Sequence, residues 1–184
     1  MKLKKMIELD DYGVRLKQLT HEKIEMVRRW RNDPKIQKYM EFRDEITPEM
    51  QEKWFRKISS GNTDYYFIIE AEGREIGLIN IRSIDYDKKE GEPGIFIYDD
   101  DFLNSDYSFR SSLCLLDFVF DELGLDHVVS HVMRDNKRAI DFNLFWGYVL
   151  SPGQEEVFNQ EYVLHKEAYY KKRDRLSRLF KKKQ

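Results

Sequence analysis

Apolar positions along this chain follow two periods in turn, and the switches between them outline a fold. Residues 14–19 alternate and predict a short strand. Thr20 then suits a helix N-cap, and Ile24, Val27, Trp30 and Arg31 share one helical face behind it. Asp33-Pro34 restarts the chain as cap and first helical residue, with Ile36, Tyr39 and Met40 at helical spacing. Thr47-Pro48 repeats the device and predicts a buried stripe of Met50, Trp54, Phe55 and Ile58 that ends near Gly61.

A strand period follows. Residues 65–69 and 76–81 flank the turn signal Glu72-Gly73 and read as an antiparallel hairpin. A charged loop over 85–92 leads to a third run over 94–98. The helical period returns after Asp99-Asp100-Asp101, where Phe109, Leu113, Leu116, Phe120 and Leu123 form one stripe and Gly124 a stop. Residues 127–133 predict a strand and 138–146 a short helix closed by Gly147. Residues 148–150 and 157–164 pair as final strands, and 166–183 form a basic amphipathic helix or tail. This order defines an α/β (α+β) single domain with a central, mostly antiparallel sheet.

Composition narrows the function classes. The 184 residues suffice for one domain with a sizeable core, and there is no repeat or linker to divide them. The 32 basic and 34 acidic side chains leave a net charge of -2, so no global field demands nucleic acid or an anionic membrane. Cys114 is the one cysteine, which excludes a disulfide framework within the chain. No apolar run approaches the ~20 residues that span a bilayer. The start lacks the apolar stretch of a signal peptide, and the chain reads as cytoplasmic. No His/Cys cluster has metal-ligand spacing, and neither a phosphate-binding P-loop nor a nucleophile elbow occurs.

Three segments carry a resemblance. They are Trp30-Arg31-Asn32-Asp33-Pro34 followed by Met40, the run from Leu115 to Leu125, and Asp135-Asn136-Lys137-Arg138-Ala139-Ile140 followed by Gly147-Tyr148. Their order and spacing resemble the GNAT acetyltransferase superfamily over roughly residues 12–165, closest to the branch of ribosomal-protein and amino-sugar N-acetyltransferases. The resemblance implies a sheet splayed at its middle and acetyl-CoA as co-substrate, with no metal. The backbone of Ile95, Phe96 and Ile97 would hold the pantetheine arm and aid the oxyanion. The pyrophosphate would sit on the turn and helix start made by Asn104, Asp106, Tyr107, Ser108, Phe109 and Arg110. Asn136 would bond the pantetheine arm, Glu92 would act as general base, and Trp30, Arg31 and Met40 would meet the acceptor.

Two residue patterns depart from that scheme. Asn104, Asp106 and Ser108 stand where the family carries glycines, and Asp106 brings negative charge to a phosphate site. One like-charge contact at ~4 Å costs on the order of 4 kcal/mol at an effective dielectric of 20, which Arg110 would offset in part. Asn143 stands where many members carry an acidic Tyr. His131 reads as an ordinary strand residue, and Cys114 as a small core residue. The expected function is acetyl transfer to the primary amine of a small or nucleotide-linked substrate, an amino sugar being favoured. The alternatives are a domain that has lost coenzyme binding and serves as a binding module, or a protein or ribosomal acetyltransferase. The expected partner is a small amine or nucleotide sugar, with no membrane or nucleic acid. A homodimer is left open.

Overall fold

The computed structural model describes residues 6–181. Strand β1 (Glu8–Asp11) pairs with β2 (Val14–Gln18), and a single 3-10 turn then leads to α1 (Ile24–Asn32), α2 (Pro34–Gln37) and α3 (Pro48–Ser60). Strands β3 (Tyr65–Ala71), β4 (Arg74–Asp85) and β5 (Glu90–Ile97) form a meander. Helix α4 (Tyr107–Asp117) continues as a π-helical turn over Phe118–Glu122. Then come β6 (His127–Met133), α5 (Lys137–Trp146), β7 (Val149–Leu150), β8 (Asn159–His165) and α6 (Lys166–Lys181).

The eight strands form one sheet in the order β1-β2-β3-β4-β5-β6-β8-β7. Every neighbouring pair is antiparallel except β5 with β6. Those two run parallel and meet at two positions, Glu90 beside His127 and Gly91 beside Val128, before they diverge. The parallel step is forced by α4, which carries the chain from the end of β5 back across the sheet. The expected splay is therefore present, and it lies at the middle of the sheet.

Each face has its own core. Val14, Leu16, Ile79, Ile81 and Ile97 pack with α4, α5 and α6 on one side. Leu19, Ile68 and Leu78 pack with Ile24, Val27, Trp30 and Ile58 of α1 and α3 on the other. The core continues into α6, where Tyr169 is fully buried.

Three expectations change. Strand β1 was not foreseen; the hairpin to β2 turns on Tyr12 and Gly13, both left-handed, with φ of 57° and 75°. Glycine reaches that region at no cost, whereas Tyr12 is held there by burial. Met50 is exposed, and Gln51 takes the inward position instead, donating to the Ile24 carbonyl at 2.8 Å. Thr47 caps the Met50 N–H as expected, and that cap sets the phase which turns Met50 outward. The charged loop is shorter than predicted, because β4 runs to Asp85 and β5 already starts at Glu90. Glu92 therefore sits on a strand.

Candidate active site

The open edge of β5 follows from its ladder. The Tyr98 N–H donates to the Ile76 carbonyl at 2.8 Å, so alternate residues Phe96 and Gly94 also bond toward β4. Ile95 and Ile97 consequently present their N–H groups to the splay. Pro93 shares their side and has no N–H, which is where an edge tolerates proline. The side chains of Ile95 and Ile97 pack into the α4 core, and Phe96 packs into the other.

The turn before α4 is built without glycine and without left-handed residues. Asn104, Asp106 and Ser108 are absent from the positive-φ residues of the described chain. Asp106 occupies the N-cap position, yet its carboxylate turns to Arg110, which grips it with two bonds of 2.9 and 3.0 Å. Arg110 also donates to the Tyr12 carbonyl at 3.0 Å and lies over the Phe180 ring. Its guanidinium is thus committed within the protein. Tyr107 donates its hydroxyl to Glu72, and Phe109 packs against Phe142 and Phe145. The N–H groups of Ser108 and Phe109 have no partner among the described residues, as the first turn of a helix leaves them.

The aspartates just upstream of this turn are paired with cations from other elements. Arg74 pairs with Asp99 and Asp101, and Lys35 with Asp100 at 3.0 Å. Arg138, in the first turn of α5, donates to the Leu103 carbonyl at 2.7 Å and brings a further cation to the turn. Its position in the chain carries no such signal, because only the fold sets α5 beside residue 103.

The other face of the splay carries a row of charged side chains. Glu92 on β5 accepts from Arg82 on β4 at 2.9 Å. The same carboxylate oxygen, Oε1, lies 3.4 Å from His131 Nδ1 on β6, and His131 Nε2 lies 3.7 Å from Glu161 on β8. Sequence reasoning missed His131 and Glu161. No local signal pointed to them, because it is the parallel start at Glu90 and His127 that puts Glu92 and His131 on one face.

Arg31 belongs to the same region. It is half-buried beside Tyr66 and Arg82. Among the described residues no carboxylate pairs with it, and none of its guanidinium N–H groups finds an acceptor. Burial lowers its proton affinity, and the like charge of Arg82 adds to that. Trp30 is spent on packing: it is 7 % exposed and stacks on Tyr98 at 5.2 Å. Met40 lies half-buried in the turn beyond α2.

On α5, the Asn136 side chain accepts from the Ala139 N–H at 3.2 Å, which fixes the helix start. Its amide NH2 remains without a bond among the described residues. Asn143 is buried and donates to Ser130 at 3.1 Å. Burial pushes the Cys114 thiol up to about 12, so it is no nucleophile. Among the described residues no group of three His, Cys, Asp or Glu side chains could hold a metal, and no helix is long and apolar enough to cross a membrane.

A sheet opened between two parallel strands, with a helix start of unbonded N–H groups above it, defines an N-acyltransferase architecture of the kind the sequence resembles. The chain belongs to the GNAT acetyltransferase family, since the model of the acetyltransferase (GNAT) domain matches residues 14–142. No curated protein matches the sequence. Among solved structures, it is similar to the spermidine N-acetyltransferase of Vibrio cholerae in complex with CoA and spermine, with 21% identity and a TM-score of 0.76 over 87% of this chain and 99% of that one. It is similar too to apo FdhC, a nucleotide-linked sugar GNAT, with 20% identity and a TM-score of 0.79 over 94% and 97%. A domain from Methanocaldococcus jannaschii DSM 2661 aligns at 18% identity with a TM-score of 0.71, over 83% and 97%. At these identities the likeness carries the fold.

Proposed function

We propose that this protein transfers an acetyl group from acetyl-CoA to the primary amine of a small or nucleotide-linked substrate, an amino sugar being favoured. The observation that carries the reading is the open edge of β5, where two N–H groups face a gap that no other strand among the described residues fills. Ile95 and Ile97 would hold the pantetheine arm in line, and one of these N–H groups would face the developing oxyanion. The amide of Asn136 would add a bond from α5. The pyrophosphate would meet the N–H groups of Ser108 and Phe109 at the positive end of α4. Arg110 serves this turn indirectly, by neutralising Asp106.

The amine enters from the α1–α3 side, where its proton passes to the Glu92–His131 pair. Arg31 has the planar fork that fits a phosphate or carboxylate of the acceptor, and it has no carboxylate partner among the described residues. That favours an acceptor with an anionic group over a pure polyamine.

Calorimetric titration of the full chain with acetyl-CoA tests the coenzyme half. Saturable binding that CoA competes away is expected. No heat and no competition at millimolar ligand would overturn the reading in favour of a binding module.

A further inference from the structure

Within the row that crosses β4, β5, β6 and β8, we propose that His131 is the group that accepts the amine's proton, and that Glu92 orients it. This assignment rests on the acetyl-transfer reading above. Glu92 Oε1 takes a hydrogen bond from Arg82 at 2.9 Å. Protonating Glu92 would break that ion pair, so the carboxylate is better suited to hold a partner than to take a proton. His131 offers Nδ1 to the same oxygen at 3.4 Å. An ionised carboxylate has only acceptors. The neutral imidazole must therefore present Nδ1–H to Glu92, which leaves a lone pair on Nε2.

The surroundings of Nε2 suit a proton acceptor. Glu161 Oε2 lies 3.7 Å away, beyond hydrogen-bond length. Glu161 Oε1 is fixed by the Ser151 hydroxyl at 2.7 Å. Once Nε2 is protonated, the imidazolium lies between two carboxylates. The His131 side chain is 37% exposed, so the proton has a route to water.

The charged groups around it are Arg82 on β4, Glu92 on β5, Glu161 on β8, and Glu41 and Arg43 from the loop beyond α2. Glu41 bonds Asn159 and Arg43 reaches Met133, at the end of the same strands. His127, two pleat repeats back along β6, is occupied by Glu90 at 3.1 Å and lies outside the row.

The step balances without an oxidant or reductant. The neutral amine nitrogen bonds to the thioester carbonyl carbon and the C–S bond breaks. The proton from nitrogen goes to His131 Nε2 and then to water, and the departing thiolate takes one proton back from water.

Nitrogen-15 NMR of the histidine-labelled full chain reads the tautomer without any substrate. His131 protonated at Nδ1 and bare at Nε2 in its neutral form is expected; the reverse tautomer overturns the assignment. Kinetics with acetyl-CoA and glucosamine 6-phosphate, a probe carrying both amine and phosphate, give the second readout. His131→Gln should lose on the order of 10²-fold in kcat at unchanged KM for acetyl-CoA. A His131→Gln enzyme that keeps the wild-type kcat overturns the proposal while leaving acetyl transfer intact. A wild-type chain that binds no acetyl-CoA in calorimetry overturns the acetyl-transfer reading instead.

Discussion

Two arginines, alike in the sequence, have opposite circumstances in the fold. Arg110 is buried with its guanidinium filled by Asp106 and the Tyr12 carbonyl. Removing it takes a partner from each of those acceptors, and Arg110→Ala should cost roughly 2–3 kcal/mol of stability in urea unfolding. Arg31 is half-buried, unpaired and beside Arg82. Truncating an uncompensated charge removes a desolvation cost. Arg31→Ala should therefore unfold at the same or higher urea concentration than wild type, while the KM for an anionic amine rises by about 10-fold or more at similar kcat. A loss of stability equal to that of Arg110→Ala would mark Arg31 as structural instead. The sequence showed Arg31 on a helix face and Arg110 in a first turn, but not their partners. A guanidinium's partner is set by which elements the fold brings within reach, and residues 12 and 110 lie far apart in the chain.

At the scale of elements, the two sides of β5 make a test. The N–H groups of Phe96 and Gly94 belong to the β4 ladder, and those of Ile95 and Ile97 face the splay. Ile95→Pro should leave the meander folded and weaken acetyl-CoA binding by about 2–10-fold, the worth of one hydrogen bond. Phe96→Pro removes a ladder bond and should lower the melting temperature clearly more. Equal damage from both substitutions would mean that the splay edge is not exposed as the register implies. Most elements were legible because their period is strong. Strand β6 has its predicted bounds, and the Asp33 and Thr47 caps bond as expected. Strand β1 was hidden because Glu8, Asp10 and Asp11 make an edge strand look like a charged terminus. The candidate site was half legible: Glu92 and Arg31 entered it by type and resemblance. His131 joined the proposed site only once β5 and β6 were set parallel, and the sequence does not carry that pairing locally.

At the scale of the whole molecule, Asp117 on α4 ties both ends of the chain to the middle. It accepts from the Tyr12 hydroxyl in the first hairpin, from Tyr169 on α6 at 2.8 Å and from Arg173 at 3.3 Å. The Tyr169 hydroxyl also lies 3.1 Å from the Leu113 carbonyl. Burial raises the proton affinity of both phenols, and Asp117 raises it further. The folded state therefore holds these protons more tightly than the unfolded chain, whose phenols ionise near pH ~10. Their contribution is complete below that pH and is lost as pH rises above it toward the folded values. Each such tyrosine adds up to about 1.4 kcal/mol of lost stability per pH unit in that window. Tyr169→Phe should be less stable than wild type at pH 8, because it gives up the bonds to Asp117 and Leu113. The gap should then close between pH 10 and 11, since the variant has one fewer phenol to ionise. Urea unfolding of both proteins across that range checks the sign. A gap that stays constant would mean that the Tyr169 proton is bound equally tightly in the folded and unfolded chain, and the tie through Asp117 would then hold no stability of this kind.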